Sequence, residues 1–337
     1  RAVAIADWIG GTIDTATSFG HAPSIMAFQN VGKVTATLGE IRNRSDLVIF
    51  WGADPAANQP RLLSRYTLDT PGMFVPAGRT GRTCVVIDTR PTKTSAQADL
   101  FLQIKPQSDF EMLTALRMLL RGIEPDAVQV KNATGLTLEQ LRDLVGRMKQ
   151  SQYGAILFGM GLMRTGGRHN NCELILKLTR ELNDHTRFVC RSVRQRGNVT
   201  GADKVVAWRT GYPFCVNLSR GFPRYNPGEF STAVTLARQE VDAAMIVGND
   251  PMPDFSAQSH ARLREIPYIT VAAVDTEITR AAAISFTTSS VGRSHGGTVY
   301  RMDEVPLELR PILTSRYPSD VELLTQLEAA IRALLPA

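Results

Sequence analysis

Apolar runs that stop at Gly and Asp-Pro occur in both halves of the chain. Residues 46–55 (DLVIFWGADP) and 242–251 (DAAMIVGNDP) each open with an Asp and pass through apolar residues to a Gly. Two further apolar runs follow each copy in matched order, at 83–89 and 98–105 in the first half and at 268–276 and 281–287 in the second. Buried parallel strands joined by helical crossovers give this pattern. The sequence therefore predicts an α/β fold of two related, Rossmann-like parallel-sheet units.

The two Asp-Pro corners fall where open parallel sheets bind ligands, beyond the carboxyl ends of the strands. The candidate residues are Gly52 and Asp54 in the first copy and Gly248 and Asp250 in the second. Glycine lets a ligand approach the backbone, and aspartate can cap the next helix or hold a hydroxyl or amine. Strand-to-helix punctuation explains either corner taken alone. The matched order favours two halves that frame one large ligand.

The remaining patterns divide the chain into three parts. We expect a first α/β unit with an N-terminal loop region over 1–150, a second unit over 151–310 with a long irregular insertion at 196–229, and a C-terminal helix over 311–337. Periodicity and capping signals predict helices at 24–38, 109–120, from 137, at 169–182 and from 319 to about 335. The insertion is dense in Gly, Pro and aromatic residues, which is typical of a binding or subunit-contact element.

A further strand is expected at 153–158, and it runs into Gly159 and Gly161. Glycines between a strand and a helix can cradle a phosphate on backbone N–H groups. The spacing of the dinucleotide-binding fingerprint is not met, so the pattern favours a tight turn over a phosphate loop.

Composition and charge exclude several classes of protein. The 337 residues are 43% hydrophobic and 21% charged, and no apolar stretch is long enough to span a bilayer. The apolar start is short and is interrupted by Asp7, so we expect no signal peptide and a cytoplasmic protein. The net charge of +6 is mild, and Arg191, Arg194 and Arg196 indicate a solvated or interfacial face. No nucleic-acid-binding signature accompanies them, so we expect no nucleic-acid partner.

Cysteine and histidine spacing gives no metal motif. Cys84, Cys172, Cys190 and Cys215 are far apart and form no Cys-x-x-Cys pair. This spacing excludes an iron–sulfur cluster of the usual pattern and argues against a disulfide framework. The five histidines likewise show no zinc-binding spacing, and we predict no metal site.

Several strings together resemble the B subunit of formylmethanofuran dehydrogenase. They are 18–24 (SFGHAPS), 37–40 (TLGE) with Asn43 and Arg44, 51–55 (WGADP), 210–213 (TGYP), 220–229 (RGFPRYNPGE) and 297–303 (GTVYRMD). The resemblance covers nearly the whole chain. It implies membership of the molybdopterin oxidoreductase superfamily, whose two central α/β domains face each other across a pterin cofactor.

The resemblance also implies that a metal ligand has been lost. In that family a Cys or selenocysteine in a Cys-His-Gly-Pro-Ser-like string binds tungsten or molybdenum held by two pterin dithiolenes. Here the ligand position is Gly20, followed by His21, and glycine has no side-chain donor. An upstream Cys-rich segment for an iron–sulfur cluster also has no counterpart. We therefore expect neither the metal–pterin nor the cluster, and a vestigial pterin cleft at Gly20, His21 and the two Asp-Pro corners.

Such a homologue is expected in the formyltransferase/hydrolase complex of methylotrophic bacteria. By resemblance, this chain is the non-catalytic B subunit beside the A, C and D subunits. The complex transfers formyl from tetrahydromethanopterin to a methanofuran-like carrier and releases formate. Two alternatives stay open. The first is an active dehydrogenase subunit with the metal held by dithiolenes alone and His21 as acid or base. The second is a binding module whose arginines hold a polyanionic carrier.

Overall fold

The computed structural model describes residues 1–248 and 250–335 and confirms an α/β fold with parallel sheets. These residues form two compact units. We call Gly20–Arg196 the central unit. Arg1–Phe19 together with the described residues from Gly197 onward is the terminal unit. Across both described ranges, no helix is both long and apolar enough to cross a membrane.

The helices have the following bounds: α1 Ala2–Trp8, α2 Ala22–Val31, α3 Leu38–Arg44, α4 Pro55–Asn58, α5 Pro60–Leu62, α6 Asp109–Leu120, α7 Ala127–Thr134, α8 Leu138–Gln150, α9 Met160–Met163, α10 Arg168–Leu182, α11 Val199–Thr210, α12 Thr232–Ala237, α13 Ala257–Glu265, α14 Glu277–Ala281 and α15 Asp320–Leu334. A π-helical segment covers Leu63–Thr67, and 3₁₀ turns cover Gly78–Gly81, Ser95–Gln97 and Met252–Asp254.

The strands have the following bounds: β1 Thr12–Ile13, β2 Leu47–Trp51, β3 Thr83–Asp88, β4 Leu100–Gln103, β5 Tyr153–Phe158, β6 Arg187–Ser192, β7 Val216–Asn217, β8 Arg224–Tyr225, β9 Ala244–Val247, β10 Tyr268–Ala272, β11 Ile284–Thr287, β12 Gly297–Tyr300 and β13 Pro306–Leu309.

A five-stranded parallel sheet in the order β4-β3-β2-β5-β6 forms the middle of the central unit. Every residue of β2 is buried, as expected of a parallel strand covered on both faces. One core cluster joins Ile49 and Trp51 of β2 to Leu113 of α6, Leu144 of α8 and Ile175 of α10. This core fixes the carboxyl end of β2, where the first Asp-Pro corner lies.

The terminal unit repeats part of this topology. Its parallel sheet has the order β11-β10-β9, which matches β4-β3-β2 strand for strand. The pairing registers also correspond, since Leu47 lies opposite Thr83 and Ala244 lies opposite Tyr268. The prediction of two related parallel-sheet units is confirmed.

The division of the chain differs from the boundary expected at residue 150. Strand β5 pairs with β2, and β6 pairs with β5, so residues after 150 complete the first sheet instead of opening a second. The central unit accordingly ends at Arg196, and the first nineteen residues belong with the later part of the chain. Local patterns gave the strands but not their partners, because pairing is decided by contacts distant in sequence.

The helix predicted at 24–38 is wrong in extent. Helix α2 ends at Val31 because Gly32 takes a φ of 72°, which turns the backbone out of the helix. A second helix, α3, then starts behind Thr37, whose hydroxyl accepts the Glu40 N–H. The helices predicted at 109–120 and after Thr137 are confirmed, the latter with its capping box.

The region 196–229 is less irregular than expected. It contains α11 and the short strands β7 and β8, which form an antiparallel sheet with β1. Helix α11 was missed because its apolar residues do not lie on one face: Val206 is buried, whereas Val205 and Trp208 are exposed. Buried Asp203 accepts hydrogen bonds from the hydroxyls of Thr15 and Thr17 at 2.7 Å, which ties the helix to the N-terminal segment.

The C-terminal helix is confirmed in part. Helix α15 starts at Asp320 behind the capping box of Ser319 and Glu322, so residues 311–319 are not helical as the range 311–337 had implied. Residues 336–337 of that range lie outside the described residues.

Candidate functional site

The corner after β2 is closed by a neighbouring turn. A Cβ on Gly52, whose φ is 54°, would lie 2.6 Å from the Leu162 nitrogen, and one on Gly161 would lie 2.7 Å from the Gly52 Cα. The Gly161 N–H donates to the Gly52 carbonyl at 2.9 Å, and the Gly159 N–H donates to the Trp51 carbonyl. The glycines therefore let two backbones pack in contact. This explains Gly159 and Gly161 as a tight turn, since their N–H groups are already used.

Asp54 is engaged by the loop after β3. Its carboxylate accepts from the Thr94 N–H at 2.9 Å and from the Thr94 hydroxyl at 2.6 Å. The same hydroxyl accepts the Ala56 N–H at 3.0 Å. Asp54 stands at the N-terminus of α4 but makes no side-chain cap to it. Its observed role is to hold two loops together at the edge of the sheet.

The space next to Gly20 is occupied by the side chain of Met160. A Cβ on Gly20 would lie 2.6 Å from the Met160 Cε, 3.1 Å from the Met160 Sδ and 4.0 Å from an Arg164 guanidinium nitrogen. Met160 begins α9, directly after the Gly159 turn. The volume next to Gly20 is therefore filled by a thioether and bordered by a cation.

His21 is buried and neutral. Its Nε2 accepts the Gln195 N–H at 3.2 Å, so the ring proton resides on Nδ1, which has no partner among the described residues. Burial, together with the charges of Arg194 and Arg164, lowers the pKa of His21 to about 3. Because its Nε2 already accepts a hydrogen bond and its pKa is so low, this imidazole is poorly suited to exchange protons near neutral pH.

The corner after β9 is open. Gly248 has a φ of 73°, and a Cβ there would meet no atom of the described residues within 4 Å. Asp250 accepts the Met252 N–H at 2.9 Å. Both residues line a cavity of about 320 Å³ at the carboxyl ends of β9 and β10. Asn249, between them, lies outside the described residues.

A polar relay that the sequence analysis did not find lines the same cavity. The Ser289 hydroxyl and His295 Nδ1 are 2.7 Å apart, and His295 Nε2 lies 3.4 Å from an Asp320 oxygen. Ser289 is buried behind β11, and Asp320 is the first residue of α15. The three residues are separated in sequence and share no motif, so only the fold brings them together.

Of the three arginines expected on a solvated or interfacial face, Arg196 is exposed and the other two are buried. Arg191 and Arg194 are buried, at 4% and 8% exposure, and the Arg191 Nε donates to the Ala36 carbonyl. They are held inside the central unit because β6, which carries Arg191, is an element of its sheet. This burial removes the main support for a surface that holds a polyanionic carrier.

The four cysteines are all free and buried. Burial raises the pKa of the Cys84 and Cys190 thiols to about 12, so neither is a ready thiolate ligand. Within residues 1–248 and 250–335, no group of three or more His, Cys, Asp or Glu side chains is placed to hold a metal ion.

Known proteins resemble this chain over almost its whole length. It is 38% identical over 311 residues to the B subunit of tungsten-containing formylmethanofuran dehydrogenase 2 of Methanocaldococcus jannaschii, spanning 92% of this chain and 71% of that protein. It is 35% identical over 327 residues to the protein of the same name from Methanococcus maripaludis, spanning 96% and 75%. The chain belongs to the family of formylmethanofuran dehydrogenase B subunits. No protein-family model matches the chain.

A further protein is similar to a shorter part of the chain. The B subunit of the formyltransferase/hydrolase complex Fhc of Methylorubrum extorquens is 30% identical over 111 residues, or 33% of this chain and 30% of that protein.

Two solved structures share the α/β fold of this chain. The structure of the formyltransferase/hydrolase complex FhcABCD from Methylorubrum extorquens with methylofuran aligns with a TM-score of 0.79 at 19% identity, covering 98% of this chain and 87% of that one. Acetylene hydratase from Pelobacter acetylenicus aligns with a TM-score of 0.63 at 12% identity, covering 98% and 51%.

Proposed function

We propose that this chain is the B subunit of a cytoplasmic formyltransferase/hydrolase-type complex of one-carbon metabolism and contributes architecture instead of a metal–pterin active site. In this proposal the complex moves a formyl group from tetrahydromethanopterin to a methanofuran-like carrier and releases formate by hydrolysis. The transferase and hydrolytic sites belong to the A, C and D subunits. The name of the solved complex with the same fold supports this choice of partners.

The observation that carries the proposal is the environment of Gly20. A tungsten or molybdenum centre of this family needs a soft thiolate or selenolate at this position, and glycine has no donor atom. The Met160 methyl carbon lies 2.6 Å from a Cβ built on Gly20, but it is the far end of a flexible side chain, so the missing donor at Gly20 and not this contact opposes a metal centre. Position 20 therefore lacks the donor atom that a tungsten centre, which the relatives' name mentions, would take from a side chain here. We also propose that this chain holds no iron–sulfur cluster, because its four cysteines do not have the spacing of a cluster motif.

The state of His21 agrees with this proposal. A residue that acts as acid or base beside a metal must be able to exchange a proton at working pH. The pKa of His21 is lowered to about 3, and its Nε2 accepts a backbone N–H. His21 instead helps to hold the loop at 194–196 in place through this hydrogen bond.

A second candidate function is an active formylmethanofuran dehydrogenase subunit. The observation that favours it is the 38% identity over 92% of this chain to a protein named as tungsten-containing. In that case the metal would be held without a ligand from position 20, and His21 would be essential.

Turnover by the complex separates the two functions. We would purify the complex through this chain from its native host and supply formyl-tetrahydromethanopterin with the carrier. We would then measure formate release and reduction of an artificial electron acceptor. The proposal predicts formate release with no acceptor reduction above background. Acceptor reduction in proportion to the formyl group consumed would establish the dehydrogenase instead.

A substitution at His21 gives an independent check. His21→Gln keeps an acceptor for the Gln195 N–H, so we expect formate release within about two-fold of the unmodified complex at pH 7.5. Loss of a general acid or base typically costs about 10²- to 10⁴-fold in rate. A loss of that size would place His21 in a working site.

A further inference from the structure

Two large apolar side chains stand at the tip of a loop in the central unit. The loop covers residues 69–82 between the π-helical segment and β3. Met73 is 76% exposed and Phe74 is 57% exposed, whereas the next residue, Val75, is buried. Adjacent exposed Met and Phe side chains are unfavourable in water and are typical of a contact with another molecule. We call these two residues the 73–74 tip.

The loop beneath the tip is held by a buried arginine. The Arg82 guanidinium, at 4% exposure, donates to the carbonyls of Ser45, Leu68, Thr70 and Arg42 over 2.6–3.1 Å. One side chain thus satisfies carbonyls from the end of α3 and from the start of the loop. Burying a guanidinium is costly unless its donors are used, so this arrangement fixes the loop strongly.

The tip itself is also positioned. The Phe74 N–H donates to the Asn43 carbonyl at 2.8 Å, and the Met73 N–H donates to the Asn43 side chain at 3.2 Å. A Cβ on Gly72 would lie 2.1 Å from the Arg42 carbonyl oxygen, so only glycine allows this approach. The Arg44 guanidinium lies 4.4 Å from the Phe74 ring centroid. The exposed side chains are therefore displayed on a rigid support and not on a slack loop.

A rigid loop favours binding, because a mobile loop loses conformational entropy when it is ordered in a complex and this loss weakens association. A pre-ordered tip with an aromatic ring and a methionine has the character of an anchor that fills a pocket on a partner. An apolar pocket is the complement of such a protruding tip.

The charge around the tip indicates the rim of that pocket. Arg42, whose Nε lies 3.5 Å from the Pro71 carbonyl oxygen, and Arg65 are both exposed. Arg61 is exposed as well, whereas Arg79 is paired with Asp99 and the one carboxylate between residues 60 and 82 is Asp69. A basic surround of this kind fits an acidic rim on the partner.

We propose that the 73–74 tip inserts into an apolar pocket with an acidic rim on another subunit of the complex. The inference rests on the proposed function only in that the chain assembles with other subunits. It does not depend on whether a metal–pterin is present.

Site-specific crosslinking in the intact complex tests the contact directly. A photoreactive amino acid is placed at position 73 of the full chain, the complex is purified from the native host, and the crosslinked peptide is identified by mass spectrometry. We expect a crosslink to one other subunit, in a peptide with apolar residues flanked by Asp or Glu. A crosslink to a second copy of this chain, or to no protein in a complex that has assembled, would overturn the proposal.

Matched substitutions measure the strength of the contact. We expect Phe74→Asp to lower the amount of that subunit retained in the complex at least ten-fold, and 0.5 M salt to weaken the unmodified contact. Val128→Asp is the control, since Val128 is 68% exposed on α7, another element of the same unit. Circular dichroism checks that both variants are folded. If they are, equal retention of the crosslinked subunit in the two variants would contradict the proposal. Dehydrogenase turnover together with a confirmed crosslink would reject the proposed function and leave this contact standing.

Discussion

The two Asp-Pro corners are similar in sequence but different in structure. After β2, Gly52 is in backbone contact with Gly161 and Leu162, and Asp54 is bound by Thr94. After β9, Gly248 meets none of the described residues within 4 Å and borders a cavity of about 320 Å³. The strand order around the two corners is the same for three strands, but in the central unit β5 pairs with β2 and leads into the turn that closes the first corner.

This difference shows what a strand-end motif can and cannot predict. Gly followed by Asp-Pro marks the end of a parallel strand in both copies. Whether space for a ligand remains there depends on the neighbouring turn, which is supplied here by residues more than 100 positions later. The closed corner serves packing, and the open corner retains a cavity with a polar lining.

Glycine substitutions should give the largest contrast between the corners. Gly52→Ala places a Cβ 2.6 Å from a backbone nitrogen at a φ of 54°, so we expect a loss of at least about 3 kcal/mol in the free energy of unfolding. Gly248→Ala meets open space and should cost only the strain of its φ, about 1–2 kcal/mol. Urea denaturation followed by fluorescence measures both.

Gly146→Ala is the control for these variants. Gly146 lies inside α8 with nothing near its Cβ position, so this change should stabilise the helix by about 1 kcal/mol. Equal losses at Gly52 and Gly248 would contradict the contrast between a closed and an open corner.

Replacing Asp54 should also lower the free energy of unfolding more than replacing Asp250 does, but by a smaller margin than for the two glycines. Asp54→Ala removes an acceptor from both the N–H and the hydroxyl of Thr94 and should cost about 2–3 kcal/mol. Asp250→Ala removes one hydrogen bond from the Met252 N–H and should cost about 1 kcal/mol. Urea denaturation measures both losses. A larger loss in Asp250→Ala than in Asp54→Ala would mean that the open corner has a structural role that its contacts do not show.

The buried histidine of the central unit should make stability depend on pH. The pKa of His21 is about 3 in the folded state, below its ordinary value of 6.5, so the unfolded chain binds the proton more readily. The folded state therefore loses stability as the pH falls below about 6.5. Between pH 6.5 and pH 5 the expected loss is about 2 kcal/mol, from roughly 1.4 kcal/mol per pH unit.

His21→Gln should remove this contribution. The unfolding free energy of the unmodified chain minus that of the variant should therefore decrease as the pH falls. His185→Gln, at an exposed position, controls for the loss of an imidazole. A difference that stays constant from pH 7 to pH 5 would mean that the pKa of His21 is the same in the folded and the unfolded chain.

Sequence reasoning recovered the features that depend on local patterns. The six strands of the internal repeat, the helix at 109–120 and the capping boxes at Thr137 and Ser319 were all predicted. Each depends on residues that are close together in the chain. The family was also identified from short strings, and the comparisons confirm it.

The features that sequence reasoning missed depend on contacts between residues that are far apart in the chain. The pairing of β5 with β2 moved the unit boundary from residue 150 to Arg196. Met160 beside Gly20 and the relay of Ser289, His295 and Asp320 have no local signal. Burial of Arg191 was hidden as well, because an arginine in a polar stretch is usually exposed. A glycine at a ligand position was visible in the sequence, but what fills its space was not.

The most direct test of the account is elemental analysis of the complex purified through this chain from its native host. Tungsten and molybdenum are measured by mass spectrometry and expressed per copy of the chain. Because Gly20 offers no donor atom, we predict values near zero for both metals. One tungsten or molybdenum per copy would contradict the central claim and show that this chain retains a working metal–pterin site.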